Sequence, residues 1–292
     1  MTTPAVSVIV PCHNDGRFLD GLIDNLAVQT FRDFEVIIVN DGSTDPETLR
    51  ILDTLRARVR VIDQENRYLP GARNRGFKEA GTEFVLPLDC DDRIEPTFLA
   101  ESLAVLRAAP ADVGFAFTYM RLVGALNGIQ LSRFDPFDQL FMNRLPYCLL
   151  LRKSAWAKIG GYDETMRDGG EDWEFNLRLA RANYRGVAIA QPLFVYTVRA
   201  DGMLLSKSAR MQGAIWNQIR ARNSDCYSLP ELLRRWREGR RSWLSALRAA
   251  IMLVSIKLLP ERWFSALYFA LMMQARKWRS ARAAIRPAQS GA

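Results

Sequence analysis

The chain has 292 residues, 49% hydrophobic and 25% charged, which is enough apolar material for a substantial core and too much for disorder over most of its length. Its net charge of +8 is uneven: residues 229–292 hold 13 Lys and Arg against 3 acids, so the remainder stands at −2, and such a tail points to an anionic partner, nucleic acid or lipid. No run of about 18 uncharged apolar residues marks a transmembrane helix, "MTTPAVSVIVPCHND" does not read as a secretory signal, and Cys12, Cys90, Cys148 and Cys226 lack CxxC spacing, so reduced thiols in the cytosol are expected.

In chain order, "VSVIV" predicts a short buried strand ending at Pro11, and Phe18, Leu19, Leu22 and Leu26 fall at helical spacing in "GRFLDGLIDNLAVQ". "FEVIIVND" is a second strand, followed by a helix that starts at Pro46. "RVRVID" predicts a third strand, Pro70 to Ala80 a helix, and "EFVLPLD" a fourth strand. Strands alternating with helices imply a mostly parallel sheet, with ligands beyond the carboxyl ends of the strands, here "PCHND", "NDGSTD" and "DCDD". Past residue 110 longer strands, "DVGFAFTYMRLVG" and "GVAIAQPLFVYTVR", flank a helix in "EDWEFNLRLARANY". The connection "NGIQLSRFDPFDQLFMNRLP" has weak periodicity and is expected to be mobile or partner-contacting. Three parts result: 1–110, 111–228 as a second half of the same domain, and 229–292 as a basic helical extension.

The segment "VLPLDCDDRI" crowds Asp89, Asp91 and Asp92 at a strand end. Alternation along a strand puts Asp89 and Asp91 on one face, unfavourable unless a cation or hydrogen-bond donors offset the repulsion. The segment alone leaves open a metal site or a solvated strand end.

Together "VSVIVPCHND", "VIIVNDGSTD", "ARNRGFKEAGTEFVLPLDCDD" and "GGYDETMRDGGEDWEFNLRLA" resemble the family-2 glycosyltransferases, over roughly residues 5–205. The resemblance implies an α/β fold of the GT-A type and an inverting enzyme that transfers a sugar from a nucleotide-diphosphate donor, UDP-linked in the first instance. The acceptor would be a saccharide or lipid-linked molecule in cell-surface glycan assembly, a polyprenyl phosphate being the alternative. Departure of a nucleoside diphosphate calls for a divalent cation, and oxygen ligands suit Mg²⁺ or Mn²⁺. Asp91 would hold it, with Asp89 facing the ribose and metal-bound water. Asp92 assists or caps the following helix.

By the same resemblance 1–110 would be the nucleotide-sugar-binding half and 111–228 the acceptor-binding half, and Pro11, His13, Asn14, Asp41, Arg73 and Arg199 belong to the donor side. Asp41 would accept from a base imide, although "NDGSTD" is also turn chemistry; His13 would stack on the base or serve the fold; Arg73 would reach the base or diphosphate or remain on the surface. Asp172 would be the general base, with Glu171 and Trp173 on the acceptor side, although acids also favour a helix start. Arg199 and Asp201 stand where many relatives carry a histidine, which leaves a third protein ligand to the metal open. A nucleotidyltransferase is disfavoured because "PCHNDGRF" lacks a glycine-rich basic loop, and an inert sugar-nucleotide sensor because the acids are intact. In the tail, apolar stretches with Trp243, Trp263 and Trp278 beside cations suggest attachment to the anionic inner face of a membrane and not to nucleic acid; packing on the catalytic body or a subunit interface, hence an oligomer, is the other reading.

Overall fold

In the computed structural model, residues 4–202, 205, 207–239, 243–268 and 270 are described. The fold begins with β1 (Val6–Cys12), α1 (Leu19–Ala27), β2 (Phe34–Asp41), α2 (Pro46–Leu55), β3 (Arg60–Gln64), α3 (Tyr68–Glu79), β4 (Phe84–Pro87), β5 (Arg93–Ile94) and α4 (Phe98–Ala108). β6 (Val113–Gly124), β7 (Gly128–Gln130), β8 (Leu150–Arg152), α5 (Lys153–Lys158), α6 (Glu171–Arg181) and β9 (Arg185–Val198) follow. Last come α7 (Lys207–Arg222), α8 (Leu229–Glu238) and α9 (Trp243–Leu258).

The strands form one sheet in the order β3-β2-β1-β4-β8-β6-β9-β5, with β7 on β6. β3, β2, β1 and β4 run parallel, as do β6 and β9, and β8 joins the two blocks antiparallel to both. Every residue of β1 is buried, as a central parallel strand covered on both faces requires, hence the unbroken apolar run in the sequence. Val8, Val10, Ile38 and Leu86 face the layer containing α1, α2 and α4; Ile9, Ile37, Val39 and Val85 face Phe77 of α3 and Phe175 of α6. α2 starts as expected, with Pro46 in its first turn and the Asp45 carboxylate accepting from the Thr48 amide at 2.8 Å. α3 lies close on β1 because residue 76 is glycine: a Cβ there would meet Ile9 Cγ2 at 2.0 Å.

The connection and the described part of the extension both pack on the body. The connection 127–146 is anchored by buried Phe137, Leu140, Phe141 and Leu145, because its apolar residues are spaced for tertiary packing and not for a helix or strand. The basic extension does not stand apart. Met252, Leu253 and Ile256 of α9 and Phe264 and Tyr268 beyond it join Phe141, Trp173 and Trp216 in a third core cluster, with Trp216 and Phe264 stacked at 5.6 Å. Trp278 lies outside the described residues. Among those described, no helix is long and apolar enough to cross a membrane.

Candidate active site

The carboxyl ends of β1, β2 and β4 open into a cavity of about 560 Å³ whose far wall is the start of α6. Pro11, His13, Asp41, Arg73, Asp89, Asp91, Glu171, Asp172, Trp173 and Arg199 all line it. Asn14 does not. It sits in the left-handed region at φ 56, where asparagine is tolerated, and its Oδ1 accepts from the amides of Thr44 at 2.8 Å and Asp45 at 2.9 Å, tying the end of β1 to the loop after β2.

At the strand ends Asp41 is buried at the close of β2. Its Oδ1 accepts from Gln64 Nε2 at 2.7 Å and from the Arg67 amide at 2.8 Å, and among the described residues Oδ2 has no protein partner. The exposed His13 donates from Nδ1 to the Asp41 carbonyl at 2.8 Å, which fixes the tautomer and holds the ring at the cavity mouth.

β4 stops at Pro87, and "DCDD" is a turn closed by the Asp92 amide on the Asp89 carbonyl at 3.2 Å. Asp89 and Asp91 therefore share the cavity through turn geometry, not strand alternation. Burial and the neighbouring Asp89 push the Asp91 carboxyl up to about 6, although Arg199 Nη1 lies 3.6 Å away. Each carboxylate has an arginine on one side, Arg73 at Asp89 and Arg199 at Asp91, and two crowded oxygen donors facing one cavity still suit a hard divalent cation. No group of three or more metal-ligating side chains occurs among the described residues, so the protein itself offers this pair. Arg199 also donates to Asp15 at 3.2 Å and to Asp201 at 3.1 Å. Asp15, which the sequence did not single out, lines the cavity as well.

Asp92 is fully buried and caps no helix. Its Oδ2 accepts from Tyr147 Oη at 2.5 Å and its Oδ1 from the Thr197 amide at 2.7 Å, while α4 begins later, after Thr97. The intervening β5 pairs with β9 and turns Asp92 inward. Burial, Asp89 and Asp91 hold its carboxyl well above the usual range.

Arg73 connects the two sides. Only 1% exposed, it donates from Nη2 to Asp89 at 2.9 Å and from Nη1 to Glu171 at 2.8 Å, with its guanidinium 4.6 Å from the centre of the Tyr147 ring. Burial opposes its charge, but Asp89 and Glu171 more than offset that and keep it protonated. Both terminal nitrogens thus serve carboxylates, an internal brace and not a surface group.

α6 starts at Gly170, left-handed at φ 77, where a Cβ would meet Ile215 Cγ2 at 2.4 Å. This start places Glu171 and Asp172 in the cavity wall across from the strand ends. Burial, then Arg73 in opposition and Asp172 in support, leave Glu171 at about 7; Asp172 is raised by burial against the pull of Arg73. Asp172 Oδ2 accepts from Asn143 Nδ2 at 2.8 Å, and Oδ1 from the Trp173 amide at 2.8 Å. Trp173 Nε1 donates to the Gln139 carbonyl at 2.6 Å, and its ring stacks on Tyr268 at 6.1 Å. Asn143 comes from the connection of weak periodicity and Tyr147 directly follows it, and only tertiary structure reveals them.

The arrangement has relatives. The model of "Glycosyl transferase family 2" matches residues 7–162, more than half of the chain. Glycosyltransferase GlyA of Streptococcus pneumoniae is 32% identical over 217 residues, 68% of this chain and 31% of that protein. A PGL/p-HBAD biosynthesis glycosyltransferase of Mycobacterium tuberculosis is 30% identical over 188 residues, 61% of this chain and 70% of the relative. The chain spans 30% of the Bacillus subtilis putative glycosyltransferase EpsH and 17% of the Myxococcus xanthus O-antigen biosynthesis protein RfbC, both of which it also matches. In fold, it is similar to Staphylococcus aureus TarS 1–349 solved with UDP-GlcNAc, at a TM-score of 0.59 and 24% identity over 74% of this chain and 66% of that one. It is also similar to the Pyrobaculum calidifontis mannosyltransferase PcManGT solved with GDP-Man and Mn²⁺, at 0.55 and 19% over 96% and 88%. With the α/β sheet, the strand-end acids and the helix-start acids in one cavity, the chain belongs to glycosyl transferase family 2 and has the GT-A fold.

Proposed function

We propose that this protein is an inverting glycosyltransferase that moves a sugar from a UDP-linked donor to a hydroxyl of a saccharide or lipid-linked acceptor in cell-surface polysaccharide assembly. The observation that carries this reading is Arg73, which braces Asp89 on the donor side against Glu171 on the acceptor side within one cavity. A transferase needs two substrates held in fixed relation, and a buried guanidinium between the two acids supplies that relation.

Asp41 Oδ2 accepts the imide N–H of uracil, and the imidazole of His13 packs on the base. Asp91, with Asp89, would hold a divalent cation, Mg²⁺ or Mn²⁺, which when bound would supply electrostatic stabilisation for a departing diphosphate. Arg199, balanced among Asp15, Asp91 and Asp201, sets the charge around the same phosphates. Asp172 takes the proton from the acceptor hydroxyl as its oxygen attacks the anomeric carbon from the face opposite the diphosphate. Burial makes this carboxylate a stronger base than a solvated one. Trp173, buried against Tyr268 and bonded to the Gln139 carbonyl, underlies the acceptor end and steadies the helix start that presents Asp172.

The experiment is a thermal-shift panel of UDP- and GDP-sugars with and without Mn²⁺, followed by NMR of the product formed from the best donor. UDP-sugars with Mn²⁺ should raise the melting temperature most, and the new anomeric centre should be inverted. Equal stabilisation by guanosine and uridine nucleotides would refute the role of Asp41, and a retained anomer would refute single displacement.

A further inference from the structure

α9 is apolar on two opposite faces. Its inner face, with Ala249, Met252, Leu253 and Ile256, packs into the third core cluster. Its outer face carries Trp243, Leu247, Ile251, Val254 and Leu258, three or four residues apart and hence one stripe, each between 45 and 76% exposed. At the helical rise this stripe runs about 22 Å. Beyond α9, Leu259, Trp263 and Leu267 are exposed as well. A helix apolar all round belongs inside a protein or against lipid, and water on one whole side of it is unfavourable.

The charges beside the stripe select its partner. Arg248, Lys257 and Arg262 are exposed along it, α9 contains no acid, and Glu261 is the only acid between 243 and 268. A second copy of the chain, seated stripe to stripe about a two-fold axis, would bring these cations toward their own counterparts. Anionic headgroups complement them. The exposed Trp243 and Trp263 rings suit the headgroup level, where the long cations also reach.

We propose that the outer face of α9 is a docking surface for an anionic lipid bilayer, with the helix lying in the interface plane and its stripe toward the acyl chains. The docked helix is continuous with the wall of the active-site cavity, since Tyr268 of the same cluster lines that cavity and stacks on Trp173. Docking therefore sets the acceptor end of the cavity beside the membrane's inner leaflet, where a lipid-linked acceptor resides. This last consequence rests on the transferase reading; the docking itself does not.

Removing residues from 229 onward would uncover Phe141, Trp173 and Trp216, so the test uses the full chain. Co-sedimentation is measured with vesicles of phosphatidylcholine alone and of an equimolar phosphatidylcholine–phosphatidylglycerol mixture. Wild type should pellet with the anionic vesicles and lose that binding as salt rises. The double variant Leu247→Glu, Ile251→Glu should lose about tenfold or more in partitioning, and Arg248→Gln with Lys257→Gln about fivefold per charge. Both should keep the wild-type melting temperature, because the altered side chains face water. Wild type without preference for anionic vesicles, or a stripe variant that pellets like wild type, overturns the proposal. So does a stripe-dependent dimer in light scattering that pellets with neither vesicle. Transfer to a water-soluble acceptor, measured on the same variants, separates the two readings: full turnover with lost pelleting supports docking, whereas absent turnover in every protein, wild type included, counts against the transferase reading alone.

Discussion

Asn143 donates to Oδ2 of Asp172 at 2.8 Å, while its own Oδ1 accepts from Gln139 Nε2 at 2.8 Å. The amide is thus held from behind and fixes the carboxylate in front, which makes Asn143 a positioning residue for the proposed base. Its hydrogen bond favours the charged form of Asp172 and opposes the upward push of burial. Asn143→Ala should lower kcat about tenfold, leave KM for the donor unchanged, and move the acid limb of the pH profile to higher pH. A lower kcat with an unmoved acid limb would assign Asn143 to loop structure only.

Asp172→Asn keeps the shape of the carboxylate but cannot take a proton. Turnover to a hydroxyl acceptor should fall by roughly 10²-fold or more, while donor affinity in calorimetry stays near wild type. An acceptor that is already an anion, such as a polyprenyl phosphate, needs no proton removed, so a variant that retains full turnover with it would identify that class of acceptor.

Arg73→Met removes the cation between Asp89 and Glu171 and leaves both carboxylates unpaired in a buried site. Urea unfolding should show a loss of about 3–5 kcal/mol, with donor binding weakened in the protein that still folds. Arg73→Lys should recover only part of this, since one ammonium cannot span two carboxylates as the planar fork does. Wild-type stability in Arg73→Met would mean that the brace carries no net energy.

Asp91 gives the pH prediction. Its folded carboxyl stands at about 6 against an ordinary 3.8, so between those values the folded state binds more protons than the unfolded one, and stability falls as pH rises through that window. Asp91→Asn removes this loss. Its stability relative to wild type should rise from about pH 4 to 6 and level off above, by up to about 3 kcal/mol, less what Arg199 loses as its partner neutralises. The same variant should no longer show a Mn²⁺-dependent rise in melting temperature with a UDP-sugar. A flat difference across this pH range, or an intact Mn²⁺ effect, would contradict the assignment.

The first half was legible because β1, β4 and most of β2 are buried and read as apolar runs that end in acids, as in "VIIVND" and "VLPLDCDD", although the second run leaves the strand at Pro87 and places its acids by a turn that alternation does not foresee. The helix start at "GGEDW" was legible for a related reason, since tandem glycines and acids have few other uses together. Asp92 misled because its neighbours in sequence favour a cap, whereas its partners Tyr147 and Thr197 are 55 and 105 residues away. Arg73 reads in sequence as a cation near the start of a helix; its burial follows from the close contact between Gly76 and Ile9, which no local pattern announces. Asn143 lies in a segment without period, where position is set by the four apolar anchors around it. In the basic extension the apolar content was plain, but which face of α9 is covered depends on Trp216 and Phe264 meeting it.

Gly170 constrains any attempt to redesign the end of the cavity formed by α6. Two separate obstacles meet at this position, a left-handed backbone and a collision with Ile215 of α7, and neither is relieved by curing the other. Trimming Ile215 makes room for a methyl group but leaves the dihedral strain. A saturation library at 170 would therefore return glycine alone, and alanine only as a weak survivor in a background where 215 has been shortened. The base helix and α7 behave as one engineering unit, and a graft that exchanges α7 for a different acceptor must carry a side chain at 215 that leaves the backbone of residue 170 clear.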